Sequence, residues 1–335
     1  MKLIRLFLFP FTPIYAFVTW LRNTMYDKNY LKSTSFSFPI VAIGNLSTGG
    51  TGKTPMTEYI IDLLKDSYNI AVLSRGYKRK TKGFILANSN STFMDLGDEP
   101  YQMYLKFKKV DFAVDANRVR GVNLLKEKNN NIDVVLLDDA FQHRTVKAGF
   151  YILLTSFDDL FIDDFLLPTG NLREMKSGVN RADVIIVSKT PNNTSEKVKE
   201  AVRKRLEHYN KPVFFSEIIY SEALFSLKES ITLDSLQGKK VNLVTGIANS
   251  KPLKDFLNRK GIIYDEIEFE DHHDFSASEI SQLENLDSFI ITTEKDYVRM
   301  RGRVNHLRLF YLPIKTKIYN SVKFEELILK FIKEF

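Results

Sequence analysis

The segment Gly44-Asn45-Leu46-Ser47-Thr48-Gly49-Gly50-Thr51-Gly52-Lys53-Thr54-Pro55 restricts this chain more than any other stretch of it. An apolar run at 39–44 leads into it and a helical pattern at 55–65 leaves it. A glycine loop between a strand and a helix is the setting that separates a phosphate-binding loop from a chance cluster of glycines. Gly49, Gly50 and Gly52 let the backbone turn its N–H groups inward around phosphate oxygens, and the positive end of the new helix adds to that field. Thr48 and Thr51 complete the loop. Lys53 is expected to reach the β- and γ-phosphates, and the Thr54 hydroxyl to ligate Mg²⁺. Pro55 falls where a helix start tolerates a missing N–H. The usual spacing puts a glycine at the position of Ser47, and here the Gly49-Gly50 pair supplies the flexibility instead. The sequence thus predicts a nucleoside triphosphate site.

Around that loop the chain alternates. Apolar runs at 70–74, 110–114, 132–137, 151–154, 184–188 and 213–216 are mostly continuous rather than alternating, as parallel strands covered on both faces require. Helical stretches fall between them, including 100–107. Strand–helix alternation predicts an α/β fold with a P-loop NTPase-type doubly wound, mostly parallel sheet. After about residue 216 the pattern restarts, with strands at 241–245, 264–269, 289–293 and 309–312 and helices at 251–259, 277–283 and 324–333. With 335 residues there is room for this second, smaller α/β domain. The expected organisation is an apolar amino-terminal helix over 1–30, a core domain over 31–216, a linker over 217–240 and a smaller domain over 241–335.

Phosphoryl transfer needs carboxylates for metal and proton, and cations for the transferred group. Val134-Val135-Leu136-Leu137-Asp138-Asp139 is an apolar strand ending in two acids, and either can serve the metal beside Thr54. Side chains alternate at a strand end, so one of the pair should face it. Ala140-Phe141-Gln142-His143-Arg144 then sets an amide, an imidazole and a guanidinium next to them. Ser74-Arg75-Gly76-Tyr77 ends another strand, on the edge where such sheets bind ligands. Gly97-Asp98-Glu99-Pro100 opens a helix, and Asp115-Ala116-Asn117-Arg118 follows the third strand. Leu172-Arg173-Glu174 offers Arg173 as a phosphate clamp. Asp271-His272-His273-Asp274 places adjacent histidines between acids; neighbours on an extended loop point apart, so a histidine reaching the cleft is expected rather than zinc.

Residues 3–20 are almost wholly apolar and aromatic, broken by Arg5, Pro10 and Pro13. A spanning helix needs ~20 apolar residues without such breaks. An element lying in the headgroup region, with Trp20 and Tyr15 at the interface and Lys2, Arg5 and Arg22 near anionic phosphates, fits better. The formal charge of +7 suits an anionic surface. A nucleic-acid ATPase would explain that charge but not residues 3–20, so no nucleic acid is expected. A membrane-associated regulatory or targeting P-loop NTPase is the alternative. A guanine-reading switch would carry Asn-Lys-x-Asp, and the nearest match, Ser188-Lys189-Thr190-Pro191, lacks the aspartate. Without cysteine the chain holds no disulfide.

Taken in order, GNLSTGGTGKTP, SRGY, GDEP, LDDAFQH, LLPTGNLRE, DHHDF and TTEKDYVRM resemble the tetraacyldisaccharide 4'-kinase (lipid A 4'-kinase) family across residues 44–300. Ala140 stands where that family commonly has glycine. The resemblance implies ATP with Mg²⁺, and γ-phosphoryl transfer to the 4'-hydroxyl of a tetraacyldisaccharide 1-phosphate at the cytoplasmic face of the bacterial inner membrane, the protein being monotopic or peripheral. It implies Asp98 as the base supported by His272, and Asp138 and Asp139 handling Mg²⁺ and the reacting groups. Arg118 and Arg173 would neutralise phosphate charge, with Arg75, Gln142, His143 and Glu174 toward substrate or phosphate. No obligate protein partner is expected.

Overall fold

The structure, a computed structural model, describes residues 5, 7–305 and 307–335. Lys2 and residues 3, 4 and 6 of the apolar segment therefore lie outside the described residues.

Continuous apolar runs become the buried strands β1 (Ile40–Asn45) and β2 (Ile70–Ser74), the short β3 (Ile85–Leu86), then β4 (Asp111–Val114), β5 (Val134–Leu137), β6 (Phe150–Ser156), β7 (Val184–Ser188) and β8 (Val213–Tyr220). Within β1, Val41 and Ile43 enter one core with Met56, Ile60 and Ile61 of the helix Lys53–Leu64. Ile40 and Ala42 enter the opposite core with Val122 and Leu125 of the helix Arg118–Lys128. Alternate side chains buried on both faces are what a doubly wound sheet requires.

The second unit has β9 (Ala223–Phe225), β10 (Ser230–Thr232), β11 (Lys240–Thr245), β12 (Ile263–Glu268), β13 (Ile290–Thr293) and β14 (Leu309–Leu312). These described strands run in the order β10-β9-β14-β13-β11-β12. Leu243 and Phe310 pack there against Leu253 and Leu257 of the helix Lys251–Arg259.

Two boundaries differ from the sequence expectation. The stretch 217–240 is not a plain linker: β8 runs on to Tyr220, and β9 and β10 belong to the second sheet. Nor does 241–335 form one domain. β15 (Ile314–Ile318) returns to pair antiparallel with β8, Ile318 lying opposite Ser216. This closes a nine-stranded sheet of the described residues, in the order β15-β8-β7-β6-β1-β5-β2-β4-β3. The closing helix Ser321–Glu334 then buries Phe324, Ile328 and Ile332 in the core that holds Ile60 and Val184. An i, i+4, i+8 stripe specifies a helix that covers something. It does not say which sheet it covers.

The helix Asp98–Lys106 meets the second unit's helix Glu294–Met300 through a shared charge. Lys106 Nζ reaches Glu58 Oε2 at 2.5 Å and Glu294 Oε1 at 3.2 Å. Burial and the Glu294 charge push the Glu58 carboxyl up to about 7 against the pull of Lys106.

At the amino end a turn at Phe9–Phe11 precedes the helix Thr12–Asp27. Among the described residues no helix is long and apolar enough to cross a membrane. Of this helix only Tyr26 is buried, while Phe17, Val18 and Trp20 lie exposed.

Because the closing helix completes the first core, Ile328→Ala should lower the unfolding free energy of the large sheet by about 2–5 kcal/mol, the usual cost of emptying such a site. Denaturant unfolding followed through the nucleotide-binding unit reads this. An unchanged midpoint for that unit would mean the helix contributes nothing to it.

Candidate active site at the carboxyl edge of the large sheet

The phosphate loop leaves β1 and bends through Gly49 (φ +105°) and Gly52 (φ +83°), left-handed positions that favour glycine. Ser47 adopts no such conformation: it forms a bridge with Leu172, while Thr48 N donates to Asn171 O at 2.8 Å. No glycine is needed there. At the end of β1, buried Asn45 organises the loop. Its Nδ2 donates to Thr51 Oγ1 at 2.8 Å, and its Oδ1 accepts from Lys53 Nζ at 3.4 Å and from Arg173 Nη2.

The two acids after β5 differ sharply. Asp138 is 1% exposed; it accepts from Thr57 Oγ1 at 3.3 Å and Ser74 Oγ at 3.2 Å. Burial, then the charges of Glu99 and Asp139, push its carboxyl up to about 7. Asp139 adopts φ +46° and faces Arg173 with both oxygens, Nη2–Oδ1 at 3.0 Å and Nη1–Oδ2 at 3.4 Å, with Lys53 Nζ 3.4 Å from Oδ1. Burial works against ionisation here too, but Lys53 and then Arg173 outweigh it and hold the carboxyl far below the usual range. One acid is therefore ionised and paired, whereas the other is held near its titration point.

Thr54 lies one turn before Thr57, whose hydroxyl bonds Asp138, on the same helix. A hydroxyl beside a buried carboxyl without a full cationic partner is a donor set that suits Mg²⁺.

Gly97 (φ +88°) turns the chain into the helix that Asp98 opens; a side chain there would meet Tyr77 O at 2.8 Å. Asp98 Oδ2 receives Arg299 Nη2 and faces His272 Nδ1 at 3.1 Å. Burial alone would raise the Asp98 carboxyl, yet the bonds from His272 and Arg299 bring it down to about 2. His273 points away and bonds Glu279 Oε2 at 3.0 Å. Arg75, Asp98, Asp138, Asp139, Arg173 and His272 thus line one cleft between the two units.

Four expected residues take other places. Arg118 is 1% exposed and sits behind the acid pair, its Nη2 3.5 Å from Asp138 O, so it braces the backbone rather than facing the cleft. Gln142 Nε2 holds Asn45 O at 2.7 Å and Glu174 Oε1 at 3.0 Å. Glu174 is buried against Arg181 Nη2 at 2.8 Å and Asn23 Nδ2 at 3.0 Å, which makes both residues part of the wall. His143 opens onto a separate depression with Lys32, Thr34 and Asn117, and burial plus the Arg118 charge lower its imidazole to about 4. The geometry adds Asn45, Glu99, Lys295 and Arg299, which the sequence showed only as members of motif segments.

Residues 4–333 match the family model described as tetraacyldisaccharide-1-P 4'-kinase. The chain is 48% identical, over 100% of its length and 99% of the relative's, to a Flavobacterium johnsoniae protein named tetraacyldisaccharide 4'-kinase. It is 42% identical to a protein of the same name from Bacteroides thetaiotaomicron, covering 98% of this chain and 93% of that one. A crystal structure described as the "apo" form of LpxK from Aquifex aeolicus in complex with ATP matches with a TM-score of 0.81 at 31% identity, covering 98% of this chain and 99% of that chain.

The raised carboxyl of Asp138 gives a stability test. Its folded-state value lies above its unfolded one, so the ionised form is the one the fold disfavours. That penalty is absent below about pH 4 and grows until the pH passes the folded value near 7. Asp138→Asn should therefore raise the melting temperature at pH 8, measured without nucleotide or Mg²⁺, and leave it unchanged at pH 4. A lower melting temperature at pH 8 would show that the ionised carboxylate stabilises the fold.

Proposed function

The chain belongs to the tetraacyldisaccharide-1-P 4'-kinase family, and from that premise we propose that the cleft between its units moves the γ-phosphoryl group of ATP onto the 4'-hydroxyl of a tetraacyldisaccharide 1-phosphate, the lipid A precursor. One observation carries this reading. Asp139, Arg173 and an ionised Asp98 held by a histidine line the same space, and the phosphate loop reaches its edge through the Lys53–Asp139 pair. That is the set of parts phosphoryl transfer to an alcohol needs: cations for the transferred group, and an acceptor for the hydroxyl proton.

In this reading Asp98 takes the proton of the attacking hydroxyl, and His272 orients its carboxylate. Lys53 and Arg173, which pair with Asp139 in the structure, turn to the charge of the transferred group. Thr54, Asp138 and Asp139 would hold Mg²⁺, which supplies further charge neutralisation when bound. Arg118 keeps the backbone of the acid pair in place from behind.

The same reading places the amino-terminal helix on an anionic membrane surface, at the cytoplasmic face of the inner membrane, without spanning it. Phe11, Ile14, Phe17, Val18 and Leu21 present exposed apolar surface, and Phe165 does so on the neighbouring loop. Arg22 lies on the same helix, and Arg5 lies before it in the chain. An acylated substrate sits in that surface, so its kinase gains by meeting it there.

Turnover of ATP with purified tetraacyldisaccharide 1-phosphate in detergent micelles tests the activity. The product should gain one phosphoryl group, and Lys53→Ala should lower kcat by ~10²-fold or more, because its charge acts on the transferred group. ATP hydrolysis that ignores the acceptor would sink the proposal.

The membrane reading has its own test. Deleting the helix would also disturb the wall it bonds, so charge is better placed on its exposed side. Ile14→Glu with Val18→Glu removes burial of roughly 1.5–3 kcal/mol per side chain, which predicts a loss of partition into anionic vesicles of about tenfold or more. Unchanged co-sedimentation would exclude this face as the contact.

A further inference from the structure

His272 is held at both ring nitrogens, and the second contact has no part in the scheme above. Its Nε2 lies 2.8 Å from Lys295 Nζ. Lys295 Nζ also pairs with Asp271 Oδ1 at 3.2 Å in a partly buried place. An ammonium has three donors and no acceptor, so the ring nitrogen facing it must accept. Nδ1 lies 3.1 Å from both Asp98 Oδ2 and Arg299 Nη2; that guanidinium nitrogen donates to Oδ2 itself, so the ring proton goes on Nδ1 toward Oδ2 and Nε2 is bare. Arg299 Nη2 donates to that same oxygen and is itself fixed by Asp296 Oδ1, 3.1 Å from Nη1. Two donors converge on Oδ2, and Oδ1 is left for a third.

Further neighbours surround the imidazole. Tyr77 meets it edge-on with centroids 5.6 Å apart, and Asp271 Oδ1 lies 4.0 Å from Nε2 behind Lys295. The charged groups facing it are thus Lys295 and Arg299 from one helix, Asp98 from another, and Asp271 from its own loop. His272 also adopts φ +63°, an uncommon conformation for a residue other than glycine, so its direction is set by these bonds rather than by backbone preference.

We propose that Lys295 is a positioning residue for the transfer: by donating to Nε2 it locks His272 as the neutral Nδ1–H tautomer, which turns Asp98 so that Oδ1 meets the acceptor hydroxyl. The imidazole orients and does not relay, since a second proton cannot reach Nε2 while Lys295 caps it. The proposal rests on the reading of Asp98 as the base. It assigns a role to the Thr-Glu-Lys-Asp segment, which the phosphate loop and the acid pair leave unused.

The test compares Lys295→Met, Lys295→Gln and Lys295→Arg in the full-length protein with Mg-ATP and micellar lipid acceptor. Lys295→Met should lower kcat about tenfold or more while KM for ATP and lipid stays within about twofold. Removing a cation beside the ring favours the imidazolium, so the acid limb of the kcat/KM profile should move to higher pH. Lys295→Arg keeps both donor and charge and should restore the rate. Lys295→Gln keeps a donor without charge; it should retain most of the rate yet still show the shifted limb. Nitrogen NMR of histidine-labelled protein, assigned against His272→Gln, should show a bare Nε2 in the wild type and lose that signature in Lys295→Met.

A wild-type Nε2–H signal overturns the proposal, as does a folded Lys295→Met with unchanged rate and pH profile. A loss confined to KM for ATP would make Lys295 a nucleotide contact and overturn it equally. Should Lys295→Met fail to fold, Lys295→Gln tests the shifted acid limb, and an unmoved limb in it overturns the proposal. Asp98→Ala separates the two levels: if it retains full activity the base assignment falls, whereas an inactive Asp98→Ala beside a silent Lys295→Met overturns the lysine's role alone.

Discussion

Parallel pairing is the constraint from which the rest of this molecule follows. β1, β5, β2 and β4 are neighbours in the sheet and run the same way, so their carboxyl ends fall on one edge. Asn45, the Asp138–Asp139 pair, Ser74 with Arg75, and Asp115 are brought to that edge by topology alone. Crowding acids there has an electrostatic cost, visible in the raised carboxyl of Asp138. The cost is offset by cations arriving from elsewhere: Lys53 from the phosphate loop, Arg173 from the loop before β7, and Arg118 from beneath. Where the cations win, as at Asp139, the acid is ionised. Where burial wins, as at Asp138, the carboxyl is raised.

The second unit supplies what one edge cannot. A base for a hydroxyl must be ionised yet not buried in phosphate-binding cations. Asp98 meets this condition because its counter-charge, Arg299, comes from the other side of the cleft. The Glu58–Lys106–Glu294 cluster fastens the two helices concerned at their far ends. Asp139 and His272 both adopt left-handed backbone, a strain of about 1–3 kcal/mol each that persists only where surrounding bonds over-determine the residue. Each is indeed held by at least two charged partners. Strain and pairing coincide at the positions proposed to do the chemistry.

Much of this was legible in the sequence, and the rest was hidden for physical reasons. The buried strands β1, β2, β5 and β7 announce themselves because parallel strands covered on both faces are continuously apolar. The phosphate loop and the acid pair are local, so their residues are read in order. What returns from a distance is not local. β15 alternates as Ile-Lys-Thr-Lys-Ile and would suit either sheet; only its register with β8 assigns it. Glu174 and Gln142 look like substrate groups because they are polar beside a clamp, but Arg181 and Asn23 already occupy the Glu174 carboxylate. Arg299 and Lys295 follow a helix start as ordinary charges, and their meaning appears only when Asp98 and His272 stand opposite them.

The amino-terminal helix and the loop carrying Arg173 share one support. Tyr15 Oη donates to Arg173 O at 2.9 Å, Arg22 Nη2 to Gln142 O at 3.0 Å, and Asn23 Nδ2 to Glu174 Oε2 at 3.0 Å. Arg5 adds a bond to Asn171 Oδ1 at 2.7 Å. The helix that presents Phe17 and Val18 outward is therefore bonded on its other side to the loop carrying the Arg173 fork. An acceptor held by its acyl chains in a surface still has freedom of depth and tilt, and transfer demands that its hydroxyl stay within a few tenths of an ångström of the productive position. Each bond between helix and loop ties the exposed apolar face to the loop carrying Arg173, so the two move as one piece. The exposed apolar side chains and Arg173 are thus carried by one hydrogen-bonded wall.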